Sequence, residues 1–279
     1  MRQGAEQVSS DKEADQIRQW WRTSIIDMAP GRIAFRGHPV EELIGNLSFS
    51  QMIWLMVRGD MPSPDQAALF DSALVAAVDH GPQAPSIAAA RMAATCGVGL
   101  NSVMATAVNM LGDVHGGAGE QCAELLLDIA ERRAVGAQLD DAVCAGIDAW
   151  QAENGKIISG FGHRFHKPVD PRAPRLMALV RAAAEKDAVT GQFADIGEAV
   201  QAEIGRRRGA PIAMNIDGAT AVIYCELGFP PPLSRGLFCL SRSVGALAHG
   251  WEQMTLGGRN KGPMPPEFLP HYDPTEKEE

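Results

Sequence analysis

The spacing of apolar residues constrains this chain more than any other feature, because it recurs at helical intervals and rarely alternates as it would in a strand. Ser48 and Gln51 stand where a capping box would begin an apolar run. Ser63-Pro64 marks a second start, with proline at the first helical position. The pattern predicts an all-α protein, and the same spacing continues over 86–111, 125–134, 140–153, 176–186, 196–207, 219–227 and 237–254.

The length of 279 residues allows one sizeable core, or a large domain with a smaller lobe. Residues 1–22 are polar and charged, and we expect them to form an N-terminal arm. The stretch 31–37 begins and ends with glycine, and its side chains alternate in polarity between them. This pattern predicts a small strand or hairpin. Proline and charge after Gly257 predict an extended tail.

The composition argues against several classes of protein. A net charge of -9 does not favour a nucleic-acid binder, which would normally carry a basic face. The 5 cysteines are scattered, with no CxxC pair, so neither a disulfide framework nor a zinc ribbon is expected. There is no apolar leader and no long uncharged apolar run, so we expect no membrane association and a cytoplasmic location.

Three segments carry residues suited to chemistry. In 112–120, His115 is followed by two glycines, which allow the backbone to approach a ligand closely. The segment 160–172 combines glycines, two histidines and three cations, as in phosphate or carboxylate recognition. In 215–218, Asp217 precedes an apolar helix. Read singly, these are also a glycine loop, a solvated basic turn and a helix N-cap, and by residue type the cap is the stronger interpretation of Asp217.

Taken together, the segments resemble one family. GDVHGGAGE, GFGHRFHKPVDPRA, MNIDGATAVIYCELGFP and LFCLSRSVGALAHGWEQ occur in the order found in the citrate synthase superfamily. The stretch GRIAFRGHPVEELIGNLSFSQMIWLMVRGDMPS is similar to a segment near the front of those proteins. The similarity runs from about Thr23 to Met254 and implies a citrate-synthase-like fold. That fold has a large helical domain, here 23–159 with 236–279, and a smaller lobe, 160–235.

Two departures from the full-length pattern stand out. A single helix separates Ser63 from Asp79-His80-Gly81-Pro82, which resembles the citryl-CoA lyase module at the C-terminal end of ATP-citrate lyase and its stand-alone relatives. This chain nevertheless keeps His115, where that lyase module has Phe. The second departure lies near Gly262, where the family places an arginine that reaches the neighbouring subunit's site. Lys261 or Arg259 is the candidate substitute.

The resemblance implies roles for three side chains beside a CoA thioester. Asp217 is the expected base on the carbon next to the thioester, and His115 is the expected donor to the thioester oxygen. His163 is expected to donate a proton to the carbonyl of a 2-oxo acid during condensation and to accept it back during cleavage. Such chemistry needs a base and an oxygen-stabilising donor at the same time.

The resemblance also implies binding roles. Arg172 and Arg242 are expected to hold the substrate carboxylates, with His80 as a further donor and Arg164 as a weaker candidate. The CoA contacts are expected at the loop that contains Phe161, Gly162 and Lys167. CoA enters as a substrate or product, and no metal and no tightly bound cofactor are expected. Relatives form homodimers or larger assemblies, and the helices at 86–111 would suit the interface.

Several functions remain open at this stage. Citryl-CoA lyase leads, because the frame is short and one carboxylate-binding arginine is missing. The alternative within the family is a citrate or 2-methylcitrate synthase. A non-catalytic paralogue that binds CoA or citrate is a different class. A metal-dependent hydrolase that uses His80, His115, His163 and Asp217 has no HExxH motif to support it. His249, on an apolar helix, is interpreted as a satisfied core or interface histidine.

Overall fold

The computed structural model describes residues 13–265 and 267–273, and the chain divides into two compact units between Ala67 and Ala68. In the first unit, residues 13–20 are helical (α1). They belong to the predicted N-terminal arm, whose residues 1–12 lie outside the described part. The other elements of this unit are β1 (Ile26–Ala29), β2 (Arg32–Phe35), β3 (His38–Pro39), α2 (Val40–Leu43) and α3 (Phe49–Arg58).

The predicted hairpin is present. Strands β1 and β2 are antiparallel, with Ile26 opposite Phe35 and Ala29 opposite Arg32. β3 adds on the other side of β2. The turn between β1 and β2 contains Gly31 at φ +77°, a conformation that glycine adopts without steric cost.

The sequence signals for helix starts are borne out at α3 and α4 (Pro64–Ala76), the latter crossing the boundary between the units. The hydroxyl of Ser48 accepts the N–H of Gln51, and the Gln51 side chain accepts the N–H of Ser48. Ser63 and Gln66 make the same reciprocal pair. Each pair satisfies N–H groups that have no partner within the helix.

The second unit is helical. Its helices after α4 are α5 (Pro85–Thr95), α6 (Leu100–Asn109), α7 (Ala118–Ala134), α8 (Leu139–Asn154), α9 (Arg172–Ala184), α10 (Gln192–Arg208), α11 (Ile216–Glu226) and α12 (Pro231–Leu256). Several of these helices begin earlier in the chain than the ranges predicted from apolar spacing. Helix α12 begins at Pro231, because proline is well suited to the first positions of a helix. The predicted all-α class is confirmed.

Helices α5, α6 and α12 pack together through small residues. Ile87, Val103 and Ala246 are fully buried between them. At Gly250 of α12, an added Cβ would lie 2.6 Å from Val103, so α12 needs glycine there to approach α6. The Ala-rich helices α5 and α6 are therefore closely packed.

Helix α11 is buried along almost its whole length, and it packs against α7 and α9. This packing matters for function, because α7 follows the glycine loop that carries His115, and α11 begins at the segment that carries Asp217. No helix within the described residues is long and apolar enough to cross a membrane.

Candidate active site

The loop that carries His115 joins α6 to α7 and is tightly folded. Arg235 of α12 forms ion pairs near both ends of this loop, with Asp113 at 2.6 Å and with Glu120. At Gly117, an added Cβ would come within 2.8 Å of the Asp113 backbone, so any other residue would open the loop. The glycines after His115 therefore serve loop closure.

Helix α5 decides which nitrogen of His115 carries the proton. The backbone N–H of Ser86, in the first turn of α5, donates to Nε2 of His115 at 3.3 Å. Nε2 is therefore an acceptor, and the neutral ring carries its proton on Nδ1. The hydroxyl of Ser86, a fully buried residue, lies 2.9 Å from the same nitrogen. His115 can thus donate a hydrogen bond through Nδ1 without being charged.

Burial and nearby positive charge keep His115 neutral. Burial is the main cause that lowers the pKa of His115, and the charges of Arg242 and Arg164 lower it further. The N-terminal end of α5, whose N–H points at the ring, also disfavours a cation there. The imidazole that the resemblance singled out as a donor is therefore held in its neutral form.

The segment before His163 pairs with the segment before α11. The N–H of Gly162 donates to Ala213 O at 2.7 Å, and the N–H of Asn215 donates to Gly160 O at 3.0 Å. Gly160 has φ +88°, and an added Cβ would lie 2.9 Å from Gly218, so the pairing requires glycine. This pairing places the histidine loop beside the first turn of α11.

His163 is held with a defined proton position. The backbone N–H groups of Phe165 and His166 both donate to its Nδ1, at 3.1 and 3.0 Å. Nδ1 accepts, so the neutral ring carries its proton on Nε2. Burial lowers the pKa of His163, as does neighbouring His166, and these effects outweigh the opposite influence of Asp170.

Asp217 is not the cap of α11, contrary to the interpretation favoured by residue type alone. The side chain of Asn215 is the cap, because its Oδ1 accepts the N–H groups of Asp217 and Gly218 at 2.9 and 3.2 Å. The Asp217 carboxyl is therefore not used to cap the helix. Burial raises its pKa, although the charges of Arg242 and Arg172 oppose the rise.

Arg172 is fixed by a carboxylate that the sequence reasoning did not single out. Asp170, fully buried, accepts Nε and Nη2 of Arg172 at 2.9 and 2.8 Å. Its second oxygen also accepts the N–H of Ile216, at 3.2 Å. Asp170 therefore ties Arg172 to the first turn of α11, which carries Asp217.

Arg242 of α12 contacts the short segment that leads to His80. Arg242 of α12 is buried, donates to Ala77 O at 3.2 Å, and lies 4.7 Å over the ring of Phe238. His80 follows this segment, and its ring centroid is 5.1 Å from that of His163. Burial lowers the pKa of His80, and the charges of Arg172, His163 and Arg242 add to the effect.

A cavity of about 790 Å³ opens beside the histidine loop. Gly162, Arg164 and Lys167 line it, together with His163, His166, Pro168, Arg208, Pro211, Ile212 and Ala213. Phe161, a predicted CoA contact, is buried and is not among the residues that line this cavity. The basic lining suits an anionic ligand such as a phosphate.

Three imidazoles lie close enough to be considered for a metal. The ligating nitrogens of His80, His163 and His166 fall within 4.8 Å of one another. Two observations disfavour a cation there. Arg172 is near enough to depress the pKa of His80 and of His163, and the free Nε2 of neutral His163 carries a proton. The cluster is better suited to an anion or to a proton-accepting oxygen.

The structure brings several of the predicted residues near one another. His80 contacts His163, while Arg172 and Arg242 both act on the titration of Asp217 and His80. Arg242 acts on His115 as well. Sequence reasoning missed Ser86, which sets the tautomer of His115, and Asp170, which holds Arg172. It also missed His166, whose ring is tilted by 37° against that of His163 with centroids 4.5 Å apart. His166 stood in the quoted histidine loop, whereas Ser86 carries no local signal.

A fold and a site of this kind define the citrate-synthase-like class of enzymes. The family model described as the citrate synthase C-terminal domain matches residues 61–262. The chain therefore belongs to the citrate synthase family, which confirms the resemblance seen in its motifs.

Individual comparisons refine this placement. The citryl-CoA lyase from Hydrogenobacter thermophilus has a similar structure, with a TM-score of 0.80, 33% identity, and coverage of 93% of this chain and 96% of that one. A citrate synthase of Saccharolobus solfataricus is 29% identical over 204 residues, 72% of this chain and 52% of the relative. The ATP citrate lyase of Methanosaeta concilii shares the fold, with a TM-score of 0.74 and 20% identity over 92% of this chain and 42% of that one. The chain spans about half the length of the curated relatives it matches.

Proposed function

We propose that this chain is a citryl-CoA lyase, which cleaves citryl-CoA to acetyl-CoA and oxaloacetate. Two observations carry the proposal together: neutral His115 has Nδ1 left to donate, and the half-buried Asp217 carboxyl is freed from capping by Asn215. Size supports the lyase, because the similarity to the Hydrogenobacter lyase extends over 93% and 96% of the two chains.

At the thioester end, cleavage needs a place for the electron pair released by the broken carbon–carbon bond. The pair moves onto the thioester oxygen as an enolate, and Nδ1–H of His115 donates to that oxygen. Protonated Asp217 then delivers its proton to the enolate carbon, which gives acetyl-CoA. Burial raises the pKa of Asp217, which makes its protonated form more accessible than that of an exposed aspartate.

At the acid end, His163 takes up the hydroxyl proton of the citryl group as the bond breaks. To accept it, the neutral ring must first release its Nε2 proton to solvent. The two N–H groups directed at Nδ1 stabilise the anionic ring formed in that way, and uptake of the hydroxyl proton returns the ring to its neutral form. In condensation the same ring starts with Nε2 protonated and donates to the carbonyl of the oxo acid. Arg172 and Arg242 supply charge for the carboxylates, with His80 as a further donor.

The cavity of about 790 Å³ is our candidate for the CoA site. Gly162 provides backbone without a side chain, and Lys167 provides a point charge for a phosphate. Arg164 and Arg208 add positive charge along the same wall. We also propose that residues 160–235 form a smaller lobe that closes over the substrate and excludes water.

A coupled assay tests the proposal directly. Purified protein is mixed with citryl-CoA, and oxaloacetate is followed by its reduction to malate with NADH. We expect turnover, and we expect Asp217→Asn to lower kcat by about 10²–10⁴-fold, the range for loss of a general acid or base. Asp195→Asn is the matched control, because Asp195 also stands in a first helical turn but is paired with Arg181 at the surface. No oxaloacetate, or full activity in Asp217→Asn, would refute the lyase mechanism.

The second candidate is a citrate or 2-methylcitrate synthase. It is favoured by the name of the Saccharolobus relative and by the Nε2 proton of His163, which suits donation to an oxo acid. Rapid release of free CoA from acetyl-CoA and oxaloacetate would support the synthase. A non-catalytic paralogue predicts neither reaction and unchanged CoA binding in Asp217→Asn.

We further propose that the chain forms a homodimer or a larger homo-oligomer. Exposed apolar residues follow one stripe of α12, at Leu240, Val244, Leu247 and Trp251. Their helical spacing makes a continuous face, which is the usual form of a subunit contact. Arg259 and Lys261 follow this helix, and the backbone N–H of Lys261 donates to Thr95. Their side chains are our candidates for the missing arginine.

A further inference from the structure

His249 of α12 is bonded on both of its ring nitrogens. Nδ1 lies 3.2 Å from Nη1 of Arg91, which also pairs with Glu252. Nε2 lies 3.3 Å from Oδ2 of Asp79. Because a guanidinium can only donate, Nδ1 accepts, and Nε2–H donates to the carboxylate. Arg91 therefore fixes the tautomer that His249 presents to Asp79.

Asp79 depends on this donor. Its Oδ2 also accepts the N–H of Gly81 at 2.9 Å, so the carboxylate closes the turn on either side of His80. Its Oδ1 is buried and has no hydrogen-bond partner in the part of the chain described here. Burial alone would raise the pKa of Asp79, but hydrogen bonds from Gly81 and His249 outweigh it, so the pKa is lowered. The charged carboxylate is thus held by few donors, one of which is His249.

The backbone of α12 comes unusually close to this turn. An added Cβ at Gly245 would overlap the carbonyl oxygen of Val78 and lie 2.9 Å from Oδ1 of Asp79. Arg242 lies one turn before this glycine and His249 one turn after it, on the same face. Arg242 donates to Ala77 O, and His249 donates to Asp79, so one face of α12 grips the segment 77–79 at two points.

We propose that His249 is a positioning residue for His80, acting through Asp79. The ring of His80 is set by the turn that Asp79 closes, and it meets the ring of His163 at 5.1 Å. Without the His249 donor, Asp79 loses a partner, the turn relaxes, and His80 leaves its place beside His163. The inference rests on the proposed function to the extent that it assigns His80 to the acid substrate.

The test compares two variants in the full-length protein. His249→Ala removes the donor, whereas His249→Gln retains an N–H that can reach Asp79. We expect His249→Ala to weaken oxaloacetate binding, measured by titration calorimetry, by about tenfold, as for loss of a hydrogen bond to a charged group. CoA affinity should stay within about twofold, and His249→Gln should restore most of the oxaloacetate affinity. His271→Ala, in the exposed tail, is the control.

A double variant shows whether the effect passes through His80. Added to His80→Ala, His249→Ala should cause little further loss of oxaloacetate affinity, because the group that it positions is absent. The proposal would be overturned if His249→Ala lowered oxaloacetate affinity as much in the His80→Ala background as in the wild type. It would also be overturned if His249→Ala weakened CoA binding equally, or if it left oxaloacetate affinity at the wild-type value. The ¹⁵N signals of the His80 ring give a readout without substrate. Their shift in His249→Ala, but not in His249→Gln, is expected even if the wild type fails to bind oxaloacetate and the proposed function falls.

Discussion

Replacing Asp170 by asparagine removes the charge that holds Arg172 against α11. The carboxylate is fully buried and accepts Nε, Nη2 and the backbone N–H of Arg172, at 2.9, 2.8 and 3.1 Å. It also accepts the N–H of Ile216 at 3.2 Å. Asparagine keeps one accepting oxygen and directs an NH₂ group at donors, so part of this network loses its acceptor.

The structure sets the size of the effect. Removal of one partner from a buried ion pair costs about 3–5 kcal/mol, because the remaining charge is left uncompensated. For a chain of this length, about 2–4 °C of melting temperature corresponds to each kcal/mol, so we expect a fall of roughly 6–20 °C. Hydrogen bonds lower the pKa of Asp170 even though burial raises it. Its ionic stabilisation is therefore present above about pH 4 and is lost as the pH falls below it.

Urea unfolding followed by circular dichroism measures the change in the free energy of unfolding. The same variant should bind oxaloacetate more weakly, because Arg172 loses its fixed orientation. Asp195→Asn is the control, since its pair with Arg181 is exposed and worth less than about 1 kcal/mol. A loss below about 1 kcal/mol in Asp170→Asn, equal to the control, would show that the buried pair does not hold this part of the fold.

Three further predictions follow from the same geometry. The exchange of acetyl-CoA methyl protons with D₂O should keep more than half of its rate when the pH is lowered from about 7.5 to 6.5, because burial holds the pKa of His115 below its usual value of 6.5; a loss of more than half the rate at pH 6.5 contradicts a neutral His115. Gly245→Ala should destabilise by about 1–3 kcal/mol through overlap with Val78, as measured by thermal unfolding. Gly236→Ala in the same helix, with nothing within 4 Å of the added Cβ, should be neutral or stabilising. Arg235→Ala should lower kcat more than it alters CoA affinity, because it releases the Asp113 and Glu120 ends of the His115 loop; equal changes in both quantities would argue against that role.

Much of the fold could be predicted locally. The capping pairs at Ser48 and Ser63 each span three residues, so the starts of α3 and α4 could be predicted. The start of α12 at Pro231 lies before the predicted range of 237–254. The hairpin at 31–37 could be predicted for the same reason, because a turn and its flanking strands are contiguous in the chain. The resemblance of the motifs to a known family supplied the candidate residues of the site.

Only the tertiary structure decided the states of those residues. The tautomer of His115 is set by Ser86, 29 positions away, and the partner of His249 lies 170 positions away at Asp79. Asp217 was open to interpretation as a cap until Asn215 was seen to fill that role. Periodicity reports which face of a helix is apolar, but not which distant donor meets a given nitrogen or carboxylate. That pairing depends on how the helices pack, and here it determines which side chains are free to react.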